Sequence, residues 1–193
     1  MDLALIKKLR EETGAGVVEA KEALTEAKDD YEAALLVLRK KGQARAVKKQ
    51  GRETKEGVVA SYIHANKRIG AMVEVSCETD FVSRTDDFQR FAYELAMHIA
   101  AANPQCLRPE DAPEDLVARE RELAATSKDI EGKPEQIVQK IIDGKLARFY
   151  SEICFMKQPL IMDDSKTVEE YVAEAVTKFG ENIQIGRFIR FEL

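Results

Sequence analysis

Tryptophan is absent from this chain of 193 residues, and histidine, cysteine and proline are scarce, with two, three and five copies. Two histidines, and no pair of cysteines at ligand spacing, argue against a metal site. Because three widely spaced cysteines form no disulfide framework, a reducing cytoplasm is the expected location. No run of about 18 or more apolar residues occurs, and the N-terminus lacks the layout of a signal peptide, so no membrane association is expected.

The sequence also offers little support for catalysis. A nucleophilic Cys77 would need a base such as His98, yet no recognised elbow or triad pattern surrounds it. The paired aspartates at 29–30, 86–87 and 163–164 lie at predicted helix starts or turns, where carboxylates cap helices and complement the helix dipole. We therefore expect no active site and no cofactor, and we interpret Cys77 as a structural residue at a strand end.

Charged residues are abundant but unevenly distributed. The net charge is −5, yet residues 39–56, here called the basic segment, hold eight basic residues against two acidic ones. The basic residues are Arg39, Lys40, Lys41, Arg45, Lys48, Lys49, Arg52 and Lys55. Such a segment could bind nucleic acid or a ribosomal surface, but no aromatic residue interleaves the charges to stack on bases. A solvated, partly helical linker is the favoured interpretation, and direct nucleic-acid binding is not expected as the main function.

Hydrophobic periodicity predicts three short helices in residues 1–42. The first helix precedes a glycine-rich loop, Thr13–Gly16, and the second begins near Val17. The third follows the Asp29-Asp30 cap signal and is expected to end at Gly42. The loop lacks the Lys-Ser/Thr pair of a P-loop, so no phosphate site is expected there.

Residues 57–193 alternate between strand and helix patterns. Predicted strands cover 57–66, 69–77 and 182–193, and predicted helices begin near residues 80, 114, 134 and 167. We expect an α+β fold in which a small three-stranded antiparallel sheet has helices packed on one face. The apolar face of the first two strands is expected to include Val59, Ile63, Val73 and Val75.

The last predicted strand alternates regularly between apolar and other residues. This alternation places Ile183, Ile185, Ile189, Phe191 and Leu193 on one side. Three strands leave two edges and much of one sheet face uncovered, and such surfaces pair with other copies. We therefore predict a homodimer.

The most informative stretch is Cys77–Val82, with the sequence Cys-Glu-Thr-Asp-Phe-Val, between the second predicted strand and the following helix. Strand-to-helix junctions present side chains to partners because backbone ends there are unpaired and face solvent. From the residues alone, Asp80 and Phe81 fit either a helix cap followed by a core aromatic, or a partner-binding pair. In the second case the ring wedges into the partner and the carboxylate competes for charge. His98 fits a hydrogen-bonded histidine at the edge of its helix.

Short stretches along nearly the whole chain resemble the elongation factor Ts family, in its short form without internal duplication or coiled-coil insertion. They are Thr13–Gly16, Cys77–Val82, Ala96–Ala101, Gly132–Pro134, Gln158–Pro159, Thr167–Val168 and Gly180–Ile183. Their common order makes the set more specific than any single match. The resemblance implies a ubiquitin-associated-like domain over residues 1–42, a basic helical linker over 43–56, and an α+β core and dimerisation domain over 57–193.

The resemblance further implies guanine-nucleotide exchange on elongation factor Tu, without bond-making chemistry, by a symmetric dimer in which two subunits cooperate on each partner molecule. Phe81 would be a wedge that shifts helices beside the nucleotide, and Asp80 would perturb the groups that position Mg²⁺ and its water. The wedge stretch comprises Thr79, Asp80, Phe81 and Val82. The other implied partner contacts are Thr13, Gly14, Ala15, Gly16, Val17, Val18 and His98.

Two differences from the family pattern limit which family properties are expected of this chain. The last strand, Gly186–Arg190, lacks the cysteine that is frequent in short members, so no disulfide can join a dimer there. Val17 and Val18 replace the methionines that are frequent after the glycine-rich loop, so a slightly smaller apolar contact is expected. Two other classes stay open: a non-catalytic adaptor or ribosome-associated protein using the basic segment, and a cysteine-dependent enzyme built on Cys77.

Overall fold

The structure of the chain is a computed structural model that describes residues 2–193. The helices are α1 (Leu3–Thr13), α2 (Val17–Glu26), α3 (Tyr31–Lys49), α4 (Asp80–Ser83), α5 (Asp86–Ala102), α6 (Glu114–Ala125), α7 (Glu135–Ile153) and α8 (Val168–Phe179). The strands are β1 (Glu56–Ile63), β2 (Ile69–Cys77), β3 (Pro159–Leu160), β4 (Asp163–Thr167) and β5 (Gln184–Glu192). None of the helices in residues 2–193 is long and apolar enough to cross a membrane.

The chain forms two compact units. The first comprises the residues up to Ala100 together with Glu169–Leu193, and the second comprises Ala101–Val168. The domain boundaries expected near residues 42 and 56 stay predictions.

Within the first unit, α1, α2 and α3 enclose a small core of leucine, isoleucine and alanine. Its buried residues are Ile6, Leu9, Ala15, Ala20, Ala23, Leu24, Ala34, Leu35 and Leu38. The Asp2 and Asp30 carboxylates cap α1 and α3 by accepting backbone hydrogen bonds from Ala4 at 2.8 Å and Ala33 at 3.0 Å. After α1, Gly14 adopts a φ of 68°, a left-handed conformation that suits glycine and ends the helix.

Helix α3 does not end at Gly42, contrary to expectation, but continues to Lys49. Gly42 is buried, and a Cβ atom at this position would lie 3.3 Å from the Thr177 hydroxyl oxygen of α8. The glycine therefore permits a close approach between two helices instead of ending one of them. As a consequence, the first part of the basic segment is helical.

The first unit also contains the predicted antiparallel sheet, in which β2 lies between β1 and β5. Helix α5 covers one face. The Tyr93 ring of α5 packs edge-on against Tyr62 of β1 with 5.7 Å between ring centres, and Arg190 Nε of β5 donates to the Ala100 carbonyl at 2.9 Å. Three aromatic ring pairs join α5 to α8. The α+β fold with helices on one face of a three-stranded sheet is thereby confirmed.

A β-bulge in β5 overturns the alternation expected for the last strand. Val75 pairs with Ile185, but Val73 pairs with Phe188, so three steps along β5 match two along β2. Beyond the bulge, the side chains that alternation would place on the buried face of the sheet point to its exposed face. Ile183 and Ile185 are buried, whereas Ile189, Phe191 and Leu193 are exposed.

Val59 and Ile63 also lie on the opposite face from Val73 and Val75, contrary to expectation. The register pairs Val59 with Glu74, so its side chain alternates away from those of the buried β2 residues. Together the outward apolar residues make a surface that we call the open sheet face. It comprises Val59, Ile63, Met72, Ile189 and Phe191, all of them exposed.

The helix expected from residue 80 is divided into α4 and α5. The Thr85 hydroxyl donates to the Val82 carbonyl at 2.8 Å and accepts from the Phe88 N–H at 3.2 Å. Thr85 therefore ends one helix and caps the next. The break leaves Asp80–Ser83 as a single separate turn directly after the sheet.

The second unit contains α6, α7 and a short β3–β4 hairpin that the sequence pattern does not predict. Helix α6 is largely exposed, as its charge suggests, with only Ala124 of its residues buried. The segment before α6 and the end of α7 meet at a single parallel β-bridge between Cys106 and Cys154.

Candidate partner-binding site

The wedge stretch places a large aromatic ring in solvent. Strand β2 ends at Cys77, and α4 begins three residues later at Asp80. Phe81, on this first turn, is 83% exposed, while Val82 beside it is half-buried. The ring is therefore not a core residue, and the partner-binding interpretation of Phe81 is the one that its exposure favours.

The Glu181 carboxylate, which follows α8, holds the residues before α4 in place. Its Oε2 atom accepts hydrogen bonds from the Glu78 and Thr79 N–H groups, both at 3.0 Å. Its Oε1 atom accepts a third hydrogen bond from the Thr79 hydroxyl at 2.6 Å. Thr79 thus occupies the position before the first helical residue, but its hydroxyl binds Glu181 instead of capping α4.

The Glu78 side chain also binds the segment around Glu181. Its Oε1 atom accepts from the Asn182 N–H at 2.6 Å and lies 3.4 Å from the Arg52 guanidinium. The Asn182 side-chain amide in turn donates to the Arg52 carbonyl at 2.7 Å. Three separate segments of the first unit therefore meet at the junction that carries Phe81.

Cys77 takes part in this junction as a buried structural residue. Its side chain is fully buried, and Sγ donates to the Thr79 carbonyl at 3.2 Å. Burial, followed by the negative charge of Glu181, raises the pKa of the Cys77 thiol. A thiol whose pKa is raised is a poor nucleophile at neutral pH, which speaks against a cysteine-dependent enzyme.

Asp80 lies beside the exposed ring and has an internal partner. Its carboxylate is 3.0 Å from the guanidinium of Arg84, one turn further along, and its side chain is about one-third exposed at 38%. Arg84 itself is mostly exposed. Because exposed ion pairs are weak, this one can open when a partner approaches.

The Thr13–Val18 loop, here called the head loop, divides into inner and outer residues. Thr13 and Ala15 are buried, and the Thr13 hydroxyl donates to the Leu9 carbonyl at 2.7 Å. Gly16, Val17 and Val18 are exposed, with the two valines 53% and 67% exposed. The apolar contact surface of this loop is therefore formed by the start of α2.

The last turn of α8 brings the head loop and the junction to neighbouring places in the first unit. A Cβ atom on Gly14 would lie 2.9 Å from Lys178 Cβ, so glycine permits the loop to approach α8 there. Lys178 Nζ also lies 2.7 Å from the Asp87 carboxylate at the start of α5, which lowers the pKa of Asp87. Glu181 follows three residues later, so one short stretch contacts both predicted surfaces.

His98 is placed differently from the other predicted contacts. It lies on α5 with its side chain fully buried. The interpretation as a helix-edge histidine underestimated its burial, since it shares the buried face with Leu95 and Ile99. A contact between His98 and a partner stays a prediction, and in this conformation the ring is enclosed by protein.

Most basic side chains of the basic segment have acceptors within the chain. Six of its eight basic side chains contact internal acceptors, and these are Arg39 with Glu12, Lys41 with Glu26, Arg45 with Glu19, Lys49 with the Gly180 carbonyl, Arg52 with Glu78, and Lys55 with Glu53. The segment therefore presents less positive charge than its sequence suggests. Among residues 2–193, no cluster of three or more histidine, cysteine or acidic side chains could hold a metal ion.

Known proteins of one family are similar to this chain along nearly its whole length. The family model described as elongation factor TS matches residues 11–193. The chain is similar to elongation factor Ts of Pseudothermotoga lettingae, with 51% identity over 189 residues, which covers 98% of this chain and 96% of the relative. It is also similar to elongation factor Ts of Solidesulfovibrio magneticus, with 50% identity over 190 residues and coverage of 98% and 95%. For that of Thermosipho melanesiensis, the identity is 48% over 187 residues, with coverage of 97% and 95%.

We predict that Glu181→Ala loosens the junction. Loss of three hydrogen bonds to a carboxylate should lower the free energy of unfolding by about 2–4 kcal/mol. It should also accelerate hydrogen exchange at the amides of Glu78 and Thr79. Glu181→Gln keeps an oxygen acceptor but loses the charge, so its effect should be smaller. Denaturant unfolding and hydrogen–deuterium exchange measure the two quantities.

Glu11→Ala is the matched control, because the Glu11 carboxylate is exposed and pairs with Lys7 of the same helix at 3.6 Å. Such exposed pairs contribute about 0.5 kcal/mol or less. Unchanged hydrogen exchange at Thr79 in Glu181→Ala would show that the junction does not depend on this carboxylate.

Proposed function

This chain belongs to the elongation factor Ts family, and from that premise we propose that it promotes guanine-nucleotide exchange on elongation factor Tu in the cytoplasm. The observation that supports this most directly is the Phe81 ring, 83% exposed on a turn whose backbone is held by Glu181. An aromatic side chain on a preorganised turn loses little conformational entropy when it enters a partner's pocket.

Exchange of this kind needs no bond-making step. A factor that binds the nucleotide-free partner better than the GDP-bound partner lowers the partner's affinity for GDP by the same factor. Weakening GDP binding about a thousandfold requires roughly 4 kcal/mol of differential binding. Full burial of one phenylalanine ring supplies about 1.5–3 kcal/mol. Phe81 can therefore supply much of the required energy, and a modest set of polar contacts can supply the rest.

The residues of the wedge stretch have different roles in the proposed exchange. Phe81 enters the partner and displaces helices beside the nucleotide. Asp80 leaves its exposed pair with Arg84 and perturbs the groups that position Mg²⁺ and its water. Thr79 and the half-buried Val82 hold the turn at the correct angle, since the Thr79 hydroxyl is bound to Glu181.

The head loop supplies a second contact. Gly16, Val17 and Val18 are its exposed residues, and they are proposed to dock on the nucleotide-binding domain of elongation factor Tu. Thr13, Gly14 and Ala15 act indirectly by fixing the loop, because Thr13 and Ala15 are buried and Gly14 turns the chain. The contact is therefore smaller than the six residues of the loop would suggest.

The adaptor or ribosome-associated alternative depends on the basic segment. Most basic side chains of that segment bind acceptors within the chain, so they are less available to a polyanion. The exposure of Phe81 has no role in that alternative, whereas exchange uses it. The geometry therefore favours exchange.

We predict that Phe81→Ala lowers the rate of GDP release by about 30-fold or more, since truncating an aromatic anchor typically costs about 2 kcal/mol or more. The measurement is release of fluorescent GDP from purified elongation factor Tu with substoichiometric amounts of this protein. Leu123→Ala is the matched control, because Leu123 is an exposed apolar residue of α6, outside both predicted surfaces. No acceleration by the wild-type protein would overturn exchange itself, and full activity of Phe81→Ala would overturn only the wedge.

A second prediction concerns Asp80. If its carboxylate acts through groups around Mg²⁺, Asp80→Asn should slow GDP release by about tenfold when Mg²⁺ is present. The defect should largely disappear when a chelator removes Mg²⁺, whereas the defect of Phe81→Ala should persist. Arg84→Ala, which breaks the same ion pair from the other side, is the control and should leave the rate near that of the wild type. An Asp80 defect that is equal with and without Mg²⁺ would contradict this role.

We also propose that two copies associate through the open sheet face. Val59, Ile63, Met72, Ile189 and Phe191 are all exposed there, and between about 46% and 66% of each residue is accessible. At the bulge, the Glu74 carboxylate accepts hydrogen bonds from the Arg187 guanidinium and from the Arg187 backbone N–H. These two charged side chains on the open sheet face are therefore paired with each other. An apolar face with paired polar groups suits a symmetric dimer.

Ile189→Asp should produce a monomer, because it places an unpaired carboxylate in the proposed interface. Light scattering should give a mass near 21.7 kDa for this variant and twice that value for the wild-type protein at micromolar concentration. Leu123→Asp, on the exposed α6, is the control and should leave the mass unchanged. A wild-type mass of 21.7 kDa across the micromolar range would refute the dimer.

A further inference from the structure

Two cysteines meet inside the second unit. The Sγ atoms of Cys106 and Cys154 are 3.0 Å apart, although the residues are separated by 48 positions in the sequence. Both side chains are buried, with Cys106 6% exposed and Cys154 fully enclosed. Helices α6 and α7 lie between them in the chain. Neither cysteine belongs to the wedge stretch, the head loop or the open sheet face.

The backbone holds these two residues together independently of their thiols. They form a parallel β-bridge, in which the Phe155 N–H donates to the Cys106 carbonyl at 2.9 Å. The Gln105 N–H adds a hydrogen bond to the Ile153 carbonyl at 2.8 Å. Residues paired across strands have Cα atoms about 5 Å apart, which is within the range of about 4.4–6.8 Å that a disulfide spans. A disulfide can therefore form here without a large backbone movement.

We propose that Cys106 and Cys154 are a redox-sensitive pair that forms a reversible intramolecular disulfide on oxidation by hydrogen peroxide. Cys77 provides an internal comparison, because its Sγ lies beside the Thr79 carbonyl in the first unit and has no such thiol partner within the residues that the structure describes. The pair remains reduced in a reducing cytoplasm and responds when peroxide accumulates.

Cys106 is the attacking residue because its side chain keeps slight exposure and hydrogen peroxide is little larger than water. Its thiolate attacks one peroxide oxygen, the O–O bond breaks, and the departing hydroxide takes up a proton to form water. The Cys154 sulfur then displaces the hydroxyl group of the Cys106 sulfenic acid, and the Cys154 proton leaves with it as a second water. The two thiols lose two electrons, and the peroxide is reduced to two water molecules.

The environment of the Cys154 thiol agrees with its reacting second, after Cys106. Burial, followed by the hydrogen bond with Cys106, raises the pKa of Cys154 to about 12. Cys154 is therefore protonated at neutral pH and suited to resolve a sulfenic acid beside it, not to attack peroxide in solution. The proton transfer to the departing hydroxyl group removes the need for a preformed thiolate.

The disulfide would stabilise the second unit against unfolding. It closes a long loop that contains α6 and α7, and a link of this length removes conformational entropy mainly from the unfolded chain. Oxidation should therefore raise the midpoint of thermal unfolding by about 5–10 °C. Because the effect arises from the unfolded state, the native backbone should change little.

The test treats the full chain with hydrogen peroxide and counts thiols in denaturant. The count should fall from three to one, with a mass loss of two hydrogen atoms, and dithiothreitol should restore both. Peptide mapping should find residues 106 and 154 in one cross-linked fragment. Cys77→Ser should oxidise in the same way, with the count falling from two thiols to none.

Cys106→Ser and Cys154→Ser are the matched controls, and neither should form an intramolecular disulfide or gain thermal stability with peroxide. Cys154→Ser should stop at a Cys106 sulfenic acid that a cyclic diketone reagent traps. Three thiols remaining after peroxide, a link that includes Cys77, or oxidation to sulfinic acid without a disulfide would each overturn the proposal. So would a disulfide that leaves the unfolding midpoint unchanged. These readouts do not involve nucleotide exchange, so the result is independent of the proposed function.

Discussion

The Glu181 carboxylate accepts hydrogen bonds from the backbone N–H groups that lie between the end of the sheet and the turn that carries Phe81. The N–H groups of Glu78 and Thr79 belong to neither a strand nor a helix, and such groups need another partner. Glu181 accepts from both, although it lies 103 and 102 positions further along the chain. The direction of α4, and with it the direction of Phe81, therefore depends on one distant side chain.

This arrangement explains how an aromatic ring can remain in solvent. Burying a phenylalanine yields about 1.5–3 kcal/mol, so a flexible junction would let Phe81 fold onto the nearest apolar surface. The three hydrogen bonds that the Glu181 carboxylate accepts are partly buried, and together they contribute about 2–4 kcal/mol. The polar contacts therefore offset the tendency of the ring to collapse, and the ring stays exposed.

Local patterns predicted the elements well because capping and periodicity act over a few residues. Strand β2 has the predicted limits, Ile69–Cys77, and the order of helices and strands agrees with expectation except for the β3–β4 hairpin and the division of one expected helix into α4 and α5. Two of the failures involve contacts between distant segments. Gly42 resembles a helix stop until its closeness to α8 is known, and the bulge in β5 brings the Arg187 N–H to the Glu74 carboxylate of β2. For Phe81, the residue pattern left core and contact roles open, and its exposure excludes the core role.

The turn that carries Phe81 and the open sheet face share one structural feature. In each, an irregular backbone turns apolar side chains outward, and a carboxylate from another segment binds the N–H groups that the irregularity releases. Glu181 does this before α4, and Glu74 does it at the bulge by accepting from the Arg187 N–H and pairing with its guanidinium, which lowers the pKa of Glu74. Without such an acceptor, regular pairing would be favoured, and regular alternation would place Ile189 on the same side as the buried Ile185. The exposed apolar residues of these two surfaces therefore lie beside paired polar groups that come from some distance in sequence.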